Sequence, residues 1–379
     1  MDFELNDDQK LLAETVDSFV QKSSPISRAR SLRDGEIGWD PAVWKEMGEL
    51  GWLSVPFPES IGGFGGSFFE VALILERFGR TLVPEPYVPS VVLAGTAIRR
   101  AGDEDQQKRF LEPLIGGEAS LAYGHRERDG RAPVATRAEK DGDGWSLTGE
   151  KTFVRNGHRA EQIVVTATTP DGLGLFVIDR DTPGLTIQPV QTMDAQKAAR
   201  LVFDGAKVPD DRRLGDPGDA AQAVVDRVDD YGVAAACAEG NGIAKEVLKM
   251  TVEYLHTRKQ FGVPIGAFQV LQHYAVDCFV ESQLLESVAI AAGVLVDDEE
   301  AVQDRARTLS AAKVTLVRSG RRLVQQSVQM FGGIGVTDEH DVGLYFKRMH
   351  TLCADFGGAR EHLDRFTRLD DFRAGAVAP

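Results

Sequence analysis

Arg258 opens the stretch where residue type and spacing first suggest chemistry: Thr257-Arg258-Lys259-Gln260-Phe261-Gly262-Val263-Pro264-Ile265-Gly266-Ala267-Phe268-Gln269. A guanidinium meets a diphosphate through several fixed donors. Arg258 stands where a long helical pattern gives way to a Gly/Pro-containing loop, within reach of a ligand. Phe261 offers a flat face to a planar ring, and Gln269 and Gln329 offer amide hydrogen bonds. Gly332-Gly333 lets backbone approach a ligand with no side chain between them. The plainer alternative is a solvated arginine beside an ordinary loop, with the glycines ending a helix. Metal and covalent chemistry are not signalled. The seven histidines show no ligand spacing, and there is no Ser/His/Asp arrangement.

The elements that must carry these residues follow from the hydrophobic period, which changes twice. Residues 1–118 read as helical. Asn6 caps a helix with apolar positions Leu11, Leu12, Val16, Phe19 and Val20, and Pro41 opens another ahead of Trp44, Met47 and Leu50. Ser67 and Asp103 start two more. Over residues 119–215 the period becomes two. Ala119–Tyr123, Val134–Glu139, Trp145–Thr148, Ile163–Thr168, Leu173–Ile178, Leu185–Val190 and Arg200–Phe203 read as short strands separated by turn signals. From 216 to 379 long helical patterns return, at about 220–257, 267–296, 300–330 and 339–352. Gly232, Ala235, Ala236, Gly240, Gly242 and Ala244 permit close helix approach on the first of them. The expected fold class is therefore α+β: an N-terminal helical domain, a middle antiparallel β-barrel or sandwich, and a C-terminal four-helix bundle. Gly62-Gly63-Phe64-Gly65-Gly66 follows no strand, so it reads as a structural turn rather than a dinucleotide fingerprint.

Composition limits the partners. The chain has 379 residues and a formal net charge of −15, which disfavours nucleic acid and anionic membrane surfaces. The longest uninterrupted apolar run, Val288–Val296, falls short of the roughly 20 residues of a membrane helix. The acidic start lacks the layout of a signal peptide. Cys237, Cys278 and Cys353 show no C-x-x-C, which reads as reduced thiols in a cytoplasmic protein.

Four motifs in matching zones carry a family resemblance. They are the Arg258 stretch, Gln329-Met330-Phe331-Gly332-Gly333-Ile334-Gly335-Val336-Thr337, Pro58-Glu59-Ser60-Ile61-Gly62-Gly63, and Leu147-Thr148-Gly149-Glu150-Lys151. Together they resemble the acyl-CoA dehydrogenase family across essentially the whole chain. The resemblance implies FAD as cofactor, with Arg258, Phe261, Gln269, Gln329, Gly332 and Gly333 reaching across a subunit interface to hold it. It also implies α,β-desaturation of an acyl-CoA thioester, with a glutamate as base for the α-proton and electrons passed to an electron-transfer flavoprotein.

The chain departs from that pattern where the chemistry should occur. Phe356-Gly357-Gly358-Ala359 matches the segment that usually carries the base, so Gly357 stands in the glutamate's place. The alternative location, 26 residues before the helix-ending arginine, is Gly232. Asp229, Asp230, Glu239 and Asp355 are the remaining candidates for a substitute base, with Glu239 reading better as a paired structural charge and Asp355, if helical, facing away from Gly357. The family's T-E-P-x-x-G-S-D segment appears as Arg126-Glu127-Arg128-Asp129-Gly130-Arg131, and its W-I-T-N-G as Phe153-Val154-Arg155-Asn156-Gly157. Two bulky guanidiniums thus replace small hydroxyls on the expected flavin seat. The pattern resembles the non-catalytic subunit of a heteromeric α2β2 acyl-CoA dehydrogenase, sharing FAD with a partner that carries the glutamate. A steroid or other bulky acyl-CoA is the implied substrate. A homomeric flavoenzyme with an unusual base, and a non-redox acyl-CoA-binding or scaffold protein, remain as alternatives.

Overall fold

A computed structural model describes residues 5–128, 134–194 and 196–369. The chain divides into two compact units. One comprises the chain up to Arg30, Ser67–Val83 and everything from Val233, and the other comprises Ser31–Gly66 and Pro84–Gly232.

Six α-helices lead the chain: α1 (Asp7–Lys22), α2 (Ile26–Leu32), α3 (Pro41–Glu49), α4 (Phe68–Thr81), α5 (Gly95–Ala101) and α6 (Glu104–Ile115). Three begin with reciprocal caps. Asn6 with Gln9, Ser67 with Glu70, and Asp103 with Gln106 each satisfy two otherwise orphaned backbone donors. Asp40 caps α3, with Pro41 in the first turn where its missing N–H costs nothing. Two of these helices were not legible from periodicity. α2 buries no residue, and α5 continues a π-helical run, Val88–Ala94, in which every residue from Pro89 on is buried.

Eight strands follow: β1 (Leu121–Gly124), β2 (Arg137–Asp141), β3 (Gly144–Arg155), β4 (Gln162–Thr169), β5 (Gly172–Asp179), β6 (Leu185–Gln191), β7 (Lys197–Pro209) and β8 (Arg213–Leu214). They form one sheet in the order β6-β7-β3-β2-β4-β5-β8, with β1 added alongside β4. The expected all-antiparallel pattern holds for most pairs. β1 and β2, however, both run parallel to β4, with Leu121 opposite Gln162 and Arg137 opposite Thr168. Trp145, Leu147, Ile163, Val165, Phe176 and Leu201 lie within one buried cluster, with Trp145 edge-on to Phe176 at 5.4 Å.

Helix α7 (Asp219–Thr257) runs 39 residues and passes from one unit into the other at Gly232. After it come a short hairpin, β9 (Lys259–Gln260) and β10 (Val263–Pro264), then α8 (Gln269–Leu295), α9 (Val302–Thr315), α10 (Arg321–Phe331), α11 (Val342–Ala354) and α12 (Ala359–Thr367). A π-helical stretch, Leu316–Gly320, joins α9 to α10, so the expected single helix over 300–330 has a local change of pitch. The small residues of α7 serve close packing. A Cβ on Gly242 would stand 1.8 Å from the Glu76 carbonyl of α4, and one on Gly79 would stand 2.2 Å from the Glu239 carbonyl. α8 differs from the expectation based on uninterrupted runs. By length and composition alone it is long and apolar enough to cross a membrane, a test that the core helix of a soluble protein also meets.

Candidate functional site

Arg258 follows directly on α7. Its N–H bonds the Tyr254 carbonyl at 2.9 Å, and its own carbonyl accepts from Ile265 N–H at 2.8 Å, so the β9–β10 hairpin closes on the arginine's backbone. Phe261 and Gly262 form the two-residue turn with φ values of 54° and 84°, the positive pair a tight hairpin needs. Phenylalanine is uncommon in that region. The residue is 91% exposed, and its ring meets Phe268 in a T-shaped pair at a centroid distance of 6.0 Å. Gln269 opens α8 and Gln329 lies near the end of α10, both exposed. Gly332 (φ 65°) and Gly333 have no atom within 4 Å of where a Cβ would stand. All six residues named from the sequence therefore lie on the exposed surface of one unit.

An aromatic stack that sequence reasoning missed joins the two motifs. Tyr254 lies 4.5 Å from Phe331 and Phe331 4.4 Å from His340 between ring centroids. Tyr254 sits one turn before Arg258, and Phe331 immediately precedes the glycine pair. The helical spacing from Tyr254 to Arg258 was the available signal. Arg258 makes no ion pair among the described residues, and two amides and bare backbone share its surface. That donor set fits a dinucleotide: a cation for the diphosphate, amides for polar edges, and glycine backbone for close approach.

The turn after α11 is built for glycine. Asp355 is extended (φ −71°, ψ 149°), not helical, so the expected rotation away from Gly357 does not apply. Phe356 and Gly357 then take φ values of 54° and 90°. A Cβ on Gly357 would meet Glu361 Oε2 and His362 Nε2, each at 3.1 Å. Glu361 accepts from Gly358 N–H at 2.6 Å, and His362 Nε2 bonds the Phe356 carbonyl at 2.8 Å. Burial holds the His362 imidazole below its ordinary pKa, with Lys313 and Arg365 adding to that effect and the Phe356 carbonyl opposing it.

The other candidate carboxylates are differently placed. Glu239 is buried and gripped by Arg348, Nε to Oε1 at 2.6 Å and a terminal nitrogen to Oε2 at 2.7 Å, a bidentate pair. Asp230 is buried and accepts from Arg227 at 3.4 Å, whereas Asp229 is exposed. Gly232 is buried within α7.

In the β-containing unit, Lys151 is fully buried and reaches Glu127 at 2.6 Å and Thr166 at 3.2 Å. Glu127 also accepts from Thr136 Oγ1 at 2.7 Å and from the N–H groups of Ala135 and Thr136. These bonds outweigh burial and hold the carboxylate down at about 2. For Lys151 burial wins over the pairing, and the ammonium is pushed down to about 8. His125, 3.0 Å from Thr166, is pushed down to about 4 by burial and by Lys151.

Arg126 and Arg155 behave differently from each other. Arg126 is exposed. Arg155 turns onto the loop before β7, bonding Gln196 at 2.6 Å with Asp194 at 3.9 Å. Asp129, Gly130 and Arg131 lie outside the described residues.

With helices before and after a mixed sheet and a dinucleotide-compatible surface on the last helices, the chain belongs to the acyl-CoA dehydrogenase family. Residues 6–118 match the acyl-CoA dehydrogenase N-terminal domain, 128–206 the middle domain and 230–363 the C-terminal domain. It is 31% identical to the probable acyl-CoA dehydrogenase YngJ of Bacillus subtilis (strain 168), over 90% of this chain and 92% of that protein. The ChsE4–ChsE5 complex from Mycobacterium tuberculosis contains a chain 29% identical, with a TM-score of 0.88 and 100% of both chains covered. A variant of the Tcur3481–Tcur3483 steroid ACAD is 30% identical with a TM-score of 0.86, covering 98% of this chain and 99% of that one.

Proposed function

We propose that this chain is a subunit of a heteromeric, FAD-dependent acyl-CoA dehydrogenase that lacks a base of its own and completes the flavin site of an unlike partner. When bound, FAD supplies the hydride acceptor for desaturation of the thioester. This chain's share would be to hold the cofactor's diphosphate with Arg258, present Phe261 to a ring, and offer the amides of Gln269 and Gln329 beside the bare backbone of Gly332-Gly333. The observation that carries the reading is the Phe356–Gly357 turn. At the position the family gives to the base stands a left-handed glycine, with Glu361 and His362 already in the space a side chain would enter. The outward display of the six cofactor residues supports the same reading, because groups facing away from a unit serve a neighbour best. The similarity to the ChsE4–ChsE5 complex and to a steroid ACAD supports a heteromer acting on a steroid or comparably bulky acyl-CoA.

The test is colour and stoichiometry. Expressed alone, the chain should carry no flavin and show no turnover. Co-expressed with a partner that has the glutamate, it should yield about one FAD per pair of unlike chains. Yellow protein that turns over alone would overturn the proposal. It would favour a homomeric enzyme, a reading that draws on Glu361, whose carboxylate lies 3.1 Å from where a Gly357 side chain would begin.

A further inference from the structure

Phe153 is the residue in the β-containing unit that the reading above leaves unexplained. Strands β3 and β7 are out of step at their far end: Lys151 lies opposite Leu201, but Val154 lies opposite Ala199. β3 therefore carries one extra residue there, a bulge of the kind that re-aims a side chain. Phe153 has φ 51° and its ring is 60% exposed. Left-handed backbone is unfavourable for a bulky L-residue, and exposed aromatic surface adds nothing to folding. Two costs at one residue call for a compensating role outside the fold.

The surroundings indicate what that role is. A bond of 2.9 Å from Thr152 N–H to the Arg126 carbonyl brings the segment after β1 beside the bulge. Arg126 and Arg128 are exposed, and their guanidiniums have no ion pair or side-chain hydrogen bond among the described residues. Glu127 between them does not neutralise them, because it is committed to Lys151. Met193, 58% exposed, lies between β6 and Gln196, to which Arg155 donates. Uncommitted cations beside an exposed ring are unexpected in a chain of net charge −15.

We propose that Phe153, Arg126 and Arg128 form a binding site for an adenine nucleotide, the base stacking on the phenyl ring and the phosphates meeting the two guanidiniums. Base-on-aromatic stacking and arginine–phosphate pairing are the two contacts such a ligand needs. The nucleotide half of a CoA thioester has this chemistry, so the seat would take the substrate's handle in place of an isoalloxazine. The proposal rests on the heteromer reading only in taking this seat to hold no flavin.

The test measures binding of adenosine 3′,5′-bisphosphate to the full chain in complex with its partner, by calorimetry at two salt concentrations. The wild type should show a site that Phe153→Asn weakens at least about tenfold. Because asparagine accepts left-handed backbone, the same variant should melt at a higher temperature, which separates lost binding from lost folding. Arg126→Ala with Arg128→Ala should weaken binding and flatten its salt dependence, leaving the FAD content of the complex unchanged. Undiminished binding by Phe153→Asn, or displacement of the nucleotide by FMN at equal concentration, would overturn the proposal. Failure of the heteromer reading would show separately, as one FAD on every chain.

Discussion

At the scale of single residues, the Glu127–Lys151 pair sets a fully buried ammonium against a partly buried carboxylate. Removing one partner strands the other, so Glu127→Gln should cost about 3–5 kcal/mol in urea unfolding, and Glu127→Leu with Lys151→Met should recover most of it. Acid should act through the same group. The folded carboxylate sits at about 2 against 4.5 unperturbed, so its contribution is complete above pH 4.5 and is lost as pH falls through about 2. A urea-midpoint series from pH 5 to 2 should slope more steeply for the wild type than for Glu127→Gln. Gly357→Glu should give no dehydrogenation and should lower stability by about 1–2 kcal/mol, because its backbone is left-handed. Coenzyme-dependent dye reduction by that variant would count against the proposed absence of a base and flavin on this chain. Of these features, the glycine was legible only through the family pattern. Its φ and the Glu361–His362 neighbours were not legible, since both depend on how α12 folds back beside it. Engagement of Glu239 by Arg348 is likewise a contact 109 residues apart, invisible to local spacing.

At the scale of elements, caps and apolar periods located the long helices well. α1, α4 and α6 begin directly after the capping residues Asn6, Ser67 and Asp103. What failed to show were elements without an apolar face of their own. α12 buries only His362, and α2 buries nothing. Strands β3 and β7 run longer than alternation suggested, because shifts in register at Leu147/Thr148 and Lys151/Val154 break the period of two. Close packing of α4 on α7 depends on glycine. Gly242→Ala drives a methyl into the Glu76 carbonyl and should cost about 3 kcal/mol, measured as a lowered thermal midpoint. The β9–β10 hairpin makes the opposite prediction. Phe261→Asn suits its left-handed turn and should leave folding intact or firmer, while weakening flavin retention in the complex.

At the scale of the whole molecule, α8 presents a run of exposed apolar side chains. Val276, Val280 and Leu284 recur at helical spacing on α8 and are 60%, 50% and 48% exposed, with Phe279 beside them at 53%. On the proposed heteromer, Arg258→Ala should leave assembly with the partner unchanged yet lower the FAD content of the purified complex by at least half, measured from the flavin absorbance. The charge of −15 argued against nucleic acid and anionic membrane as partners, but the exposure of Arg258, Phe261, Gln269, Gln329, Gly332 and Gly333 had to come from the folded chain. The apolar face of α8 also has a consequence for how the cell must manage this polypeptide. A protomer made without its counterpart would be held by chaperones and cleared by proteases, so its lifetime should follow the supply of the other chain. Matched synthesis of the two polypeptides, as from one messenger, would then be a condition for accumulating either.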